Sequence, residues 1–256
     1  MTAVPAVHAP RLRFAVVLGV ASFLAVLALF PYLMMFMPGR LARIPLSPVA
    51  LAALQALQAA VLAGVLGGLG LWLGERYGLT APWLRAWIYR QPPPAAKGQW
   101  LRASLLGLAA AVVVLAVDPQ GTGHESTRHL LDLAWRGALA SFYGGIVEEV
   151  LFRLFLVSLL VWLLARLGGG ARPWMYVSAI VLAALLFGAG HLPGARDAGM
   201  TLNFLAISRI LLLNAIVGVV CGWLFWKRGL EHAMLAHFSA DLVLHVAAPL
   251  TLAALA

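Results

Sequence analysis

The chain has 256 residues, 63% of them hydrophobic and 11% charged, with a formal net charge of +9 and a mean hydropathy of +0.94. A soluble domain is only about half apolar, so this composition excludes a soluble catalytic module and defines an integral membrane protein. The excess of Lys and Arg does not signal nucleic acid, because the basic residues stand singly near the ends of apolar runs, where they act as topology determinants.

Arg11 and Arg13 precede a first apolar run at about 14–37. It is too long for the core of a signal peptide and lacks a small-x-small exit, so it is expected to stay as an uncleaved span. Further runs follow at about 49–73, 101–117, 134–165, 173–190, 210–226 and 230–252. A helix needs about 20 apolar residues to cross the hydrocarbon. The fold class expected is therefore an all-α polytopic membrane protein of seven spans, or eight with one more, around a membrane-embedded polar cavity. The segment 200–209 either lengthens the sixth helix or forms a short re-entrant piece. Pro and Gly mark the connections 75–99 and 118–133 as loops, Gly168-Gly169-Gly170 separates the fourth span from the fifth, and Lys227-Arg228-Gly229 is a tight basic turn. These connections are too short to fold alone. The chain reads as one membrane domain, in which 1–133 supplies generic spans and 134–256 the helices that carry chemistry.

Eleven basic residues, Lys97 among them, fall on the side of the N-terminus and six on the other, which favours a cytoplasmic N-terminus. Cys221 is the one cysteine and lies in an apolar run, which excludes an intramolecular disulfide and a CxxC motif.

A charge at the centre of a spanning helix costs about 2.5 to 3.5 kcal/mol even on the lenient insertion scale, so each one needs a purpose. The candidates are Glu148, Glu149 and Arg153 in the fourth span, His191 at the end of the fifth, and His237, Asp241 and His245 in the last. Glu149 and Arg153, four apart, share a helical face in the favourable acid-before-base order and can neutralise each other. Glu148 is turned about 100° away and lacks that partner. One turn before it, Gly144 and Gly145 would let another helix, a water or a peptide come close. Phe187 and His191 share a face, with Pro193 expected to stop the helix. His237 and Asp241 also share one, and His245 continues their stripe. A carboxylate, two histidines and a short acceptor on three helices can activate water and hold an oxyanion. Equally, Glu148, His191 and His237 can bind zinc, although no HExxH helix is present.

Three segments resemble the signature of the CPBP intramembrane protease family, the group of Rce1-type CAAX prenyl endopeptidases and bacterial bacteriocin-processing or self-immunity relatives. EExxxR is matched by Glu148, Glu149 and Arg153, FxxxH by Phe187 and His191, and the last-helix HxxxN or HxxxD by His237 and Asp241. Gly218-xxx-Gly222 and the stretch after it are similar as well. The resemblance implies a glutamic endopeptidase without a cofactor, in which Glu148 is the general base assisted by His191. By the same resemblance, His237 and Asp241 would bind the carbonyl oxygen or position the water, and Glu149 and Arg153 would hold the fourth helix. Asp241 stands where many members carry asparagine. An ionised carboxylate cannot donate to an oxyanion, so Asp241 must be protonated, orient His237 or bind a metal, with His245 as a further contributor. The implied partners are the lipid bilayer and a membrane-associated peptide or protein, CAAX-type or a bacterial processing or sorting signal. Richness in Ala, Arg and Gly points to a GC-rich bacterium and its inner membrane. The same buried groups also suit a proton-coupled transporter, or a non-catalytic membrane partner that keeps them for packing.

Overall fold

A computed structural model describes residues 11–95, 98–118 and 127–255; Lys97 and half of the polar connection 118–133 lie outside them. The described residues contain seven helices long and apolar enough to cross a membrane. Apart from a single helical turn at Pro38–Leu41 and a 3₁₀ turn after the second span, the elements in chain order are α1 (Arg11–Phe36), α2 (Pro48–Gly74), α3 (Pro82–Tyr89), α4 (Trp100–Val117), α5 (running through Thr127–Tyr143, Gly144–Val157 and Ser158–Leu167), α6 (Pro173–Gly190), α7 (Leu192–Asp197), α8 (Phe204–Arg228) and α9 (Leu230–Leu242, Val243–Ala247 and Ala248–Leu255). All but α3 and the short α7 are spans. Apolar side chains such as Leu12, Val16, Leu54, Val65 and Leu101 point outward, more than half exposed. In water that surface would drive aggregation, and in a bilayer it is the lipid-facing band.

Local chemistry sets the helix ends. Ser47 caps α2, its hydroxyl accepting from the Ala50 N–H at 3.2 Å, and Pro48 follows in the first turn. Asn203 caps α8, accepting from the Ala206 N–H at 2.9 Å. The ambiguous segment 200–209 is thereby resolved, its second half lengthening the sixth span. Pro193 does not end the fifth span but opens α7, after a break at His191. The connection 75–99 is not all loop either. It holds the 3₁₀ turn Glu75–Tyr77 and the helix α3, whose first turn is capped from across the bundle by Glu231, accepting from the Leu84 N–H at 2.6 Å. Gly229, at φ 98°, makes the turn from α8 into α9, and the Leu230 N–H then donates to the Thr80 carbonyl at 3.0 Å.

Small residues let the spans touch backbone to backbone. A Cβ built on Gly218 or Gly222 of α8 would lie 2.8 Å from Ala184 or 2.6 Å from Ile180 of α6. Gly70 of α2 packs directly on the Leu154 carbonyl of α5, with no room for a methyl group. Gly70→Ala is expected to destabilise the protein by about 1 to 3 kcal/mol, because two helix backbones must part; thermal unfolding in detergent checks this. Between this contact and the N-terminal ends of α1, α4 and α9 lies a tightly packed core of Phe14, Leu18, Leu71, Leu154, Phe225 and Leu230, each no more than 1% exposed.

Candidate active site

The fourth span carries an element the amino-acid pattern does not announce. Residues Gly144–Val157 form a π-helix, as do Val243–Ala247 of α9. π turns close i to i+5 and occur mostly at functional sites. The first of these holds Glu148, Glu149 and Arg153, the second His245. Angular reasoning at 100° per residue therefore applies only loosely here.

Glu149 and Arg153 do pair, with Nη1 of Arg153 3.0 Å from Oε1 of Glu149 and side chains 2% and 0% exposed. The contact is an ion pair off the hydrogen-bonding axis, since Nη1 of Arg153 and Oε2 of Glu149 have no hydrogen-bond partner. Arg153 also donates from Nη2 to the Gly218 carbonyl at 3.3 Å and lies over the Phe187 ring, 4.8 Å from its centroid. Glu149 does more than its spacing suggests. Its Oε1 is 2.7 Å from Nδ1 of His237, 88 positions along the chain. An ionised carboxylate only accepts, so Nδ1 of His237 is the donor and the ring presents Nε2 to the cavity.

Glu148 is not without partners in space. Its two oxygens lie 3.8 Å from Nε2 of His191 and 3.7 Å from Nε2 of His237. The two glutamates thus approach His237 from its opposite ring nitrogens. His191 is set in the same sense, because its Nδ1 is 2.9 Å from the Phe187 carbonyl, an acceptor, which leaves Nε2 towards Glu148. Phe187 stands edge-on to both rings, at 4.7 Å from His191 and 5.5 Å from His237. Asp241 lies 3.7 Å from Nε2 of His237 and 4.0 Å from Nε2 of His245. Its carboxylate fills the space a side chain at Gly144 would need, and Gly145 admits Phe238 and the Met234 carbonyl in the same way. The two glycines therefore bring α9 against α5, one of the three outcomes their position allows. His237 finds its direct hydrogen bond in Glu149 rather than in Asp241, its neighbour on the helix.

Glu148, Phe187, His191, His237, Asp241 and His245 line one wall of a cavity of about 800 Å³. Its other walls come from α1 and α2, including Tyr32, Gln55 and Gln58, and from Asn214 of α8. The first two spans are therefore part of the site, beyond the generic role read for them. Two amides three apart, Gln55 and Gln58, in an otherwise apolar run are the signal that marks this face.

Among the described residues, the metal-type donors that all come within 4.8 Å of one another are those of Glu149, Cys221 and His237, not the Glu148, His191 and His237 set. The Arg153 guanidinium already neutralises Glu149 there. A divalent ion beside it would place like charges together out of water, so this trio does not suit a metal.

Fold and site define a polytopic helical membrane protein with paired carboxylates and imidazoles on a membrane-embedded cavity. Residues 130–243 match the family model of the Rce1-like type II CAAX prenyl endopeptidases, the family that the three motifs resemble. The match implies a CAAX-type intramembrane protease, a hydrolase acting on a membrane-associated peptide or protein. Comparison with curated proteins and with solved structures gives no match.

Proposed function

We propose that the protein is a glutamic intramembrane endopeptidase that cleaves membrane-associated proteins in a processing or sorting step at a bacterial inner membrane. The observation that carries this reading is the position of Glu148, between Nε2 of His191 and Nε2 of His237 at 3.8 and 3.7 Å and 15% exposed on the cavity wall. Gaps of that size suit a bridging water. Glu148 takes a proton from the water as its oxygen bonds to the substrate carbonyl carbon. His191 holds the water's other side. In the form that carries a proton on Nε2 as well, His237 donates to the developing oxyanion. Asp241 and His245 orient the attacking water, Asp241 as an acceptor. Glu148 then returns the proton to the leaving nitrogen as the C–N bond breaks, which balances the hydrolysis. Glu149, fixed by Arg153, is a positioning residue that sets the His237 ring, and Phe187 keeps the two imidazoles apart.

No step in this scheme needs a metal. A stoichiometric zinc in the purified protein, lost on His191→Ala, would overturn that part. The function itself is tested by comparing the membrane proteomes of wild-type, deletion and Glu148→Gln strains. The same uncleaved precursors are expected to accumulate in both mutants, and their absence from the Glu148→Gln strain sinks the peptidase reading.

A further inference from the structure

We infer that the cavity takes its substrate from the extracytoplasmic side of the membrane, so that the proteins it cleaves are exported ones held by an apolar segment. The inference rests on the peptidase reading for the nature of the occupant, but not for the side of the membrane.

Two asymmetries carry it. The first is the shape of the bundle. α1 lines the cavity only from Val26 to Met37, α2 only from Gln55 to Leu62, α6 only from Phe187 onward, and α8 only at Ile210 and Asn214. α1 and α6 start on the N-terminal face and α2 and α8 on the other, so these stretches lie in the half away from the N-terminus or at the midplane, and α5 and α9 carry the wall about one turn deeper, to Phe152 and His237. The lining residues farthest towards that outer face are Met37, Gly194, Ala198 and Met200, the last two of them exposed, and we place the mouth there. Towards the N-terminal face the way is closed by Phe14, Leu18, Leu71, Leu154, Phe225 and Leu230, and by the backbone contact at Gly70. A peptide cannot reach Glu148 from that side without parting the core.

The second asymmetry is charge. Ten described arginines and lysines sit at the helix ends of the N-terminal face, against two acids, Glu75 and Glu231. Glu75 is itself held by Arg11 at 3.1 Å and Arg85 at 2.7 Å. The opposite face carries six arginines against three aspartates among the described residues, and two of those arginines are already paired, Arg136 with Asp132 and Arg209 with Asp118. Basic residues near span ends are retained in the cytoplasm, and acids count little in this rule. The sealed basic face is therefore cytoplasmic, and the open one faces outward.

The consequence is selective. A prenylated C-terminus made and modified in the cytoplasm ends on the wrong side of the core. An exported protein whose anchoring segment enters the outer leaflet presents its scissile bond where Glu148 stands. The cavity is mostly apolar, with its polar groups gathered around Glu148, Gln55 and Gln58, as a partly unwound membrane segment requires.

Cys221 is fully buried, so the wild-type protein serves as the unlabelled control for single-cysteine variants. Ala198→Cys and Met200→Cys at the mouth, and Arg166→Cys and Leu167→Cys on the basic face, are treated with a membrane-impermeant maleimide in intact spheroplasts and again after permeabilisation. The mouth variants are expected to label in intact spheroplasts and the basic-face variants only after permeabilisation. The reverse pattern overturns the inference, and two sites per face guard against one that fails to fold. A parallel measurement follows cleavage of a membrane-anchored reporter with its target bond on either side, with and without Glu148→Gln. Reverse labelling with Glu148-dependent cleavage removes the orientation and leaves the peptidase. Expected labelling without such cleavage does the opposite.

Discussion

Purified Glu148→Gln protein is expected to lose cleavage by about 10²- to 10⁴-fold, the range for removing a positioned general base, while its thermal midpoint stays close to that of the wild type. The amide matches the carboxylate in shape and keeps the cavity walls in place. Folding is expected to survive because Glu148 has no ion pair shorter than 3.7 Å and is not fully buried. The loss should fall on kcat, since an oxygen that takes its proton only in the transition state contributes little to ground-state binding. His191→Ala should lower kcat less. His191 is 40% exposed, and water can occupy part of its place. If Glu148→Gln cleaved at the wild-type rate, another group would have to be the base.

Arg153→Ala is expected to be the most destabilising change in the site. Arg153 is 2% exposed and joins three elements, through Glu149 of its own helix, the Gly218 carbonyl of α8 and the Phe187 ring of α6. Its removal leaves Glu149, 0% exposed, without its cation. Breaking one side of a buried pair costs about 3 to 5 kcal/mol. For a chain of this size that lowers the melting temperature by on the order of 10 °C. Replacing both partners by apolar groups, as in Glu149→Leu with Arg153→Met, should recover much of the stability. It should not recover activity, because Glu149 also holds Nδ1 of His237 at 2.7 Å. Melting curves and rates on the wild type, Arg153→Ala and the double variant separate the two roles: a double variant restored in both would make Glu149 purely structural.

Hydropathy made the seven spans legible, because crossing the hydrocarbon imposes length and apolarity on the residues themselves. The cost of burying charge likewise singled out Glu148, Glu149, Arg153, His191, His237 and Asp241, and the structure brings all six together. What stayed hidden depends on contacts between distant stretches. The Glu149–His237 hydrogen bond joins α5 to α9, and spacing within one helix cannot reveal it. The π-helix at Gly144–Val157 obeys the same apolar pattern as an α-helix. α3 is hidden because the Pro and Gly around it signal a loop, and the carboxylate that caps it, Glu231, comes from another span. Tyr32, Gln55 and Gln58 reach the cavity from helices that the three motifs do not include.

Gly144 and Asp241 share one volume, the carboxylate of the second occupying what would be the side chain of the first. They are thus a single heritable unit. In descendants of this chain an asparagine can replace Asp241 with no change at position 144, because the two side chains are of equal size. A larger residue at position 144 must first displace the Asp241 carboxylate, and with it the acceptor that stands 3.7 Å from Nε2 of His237.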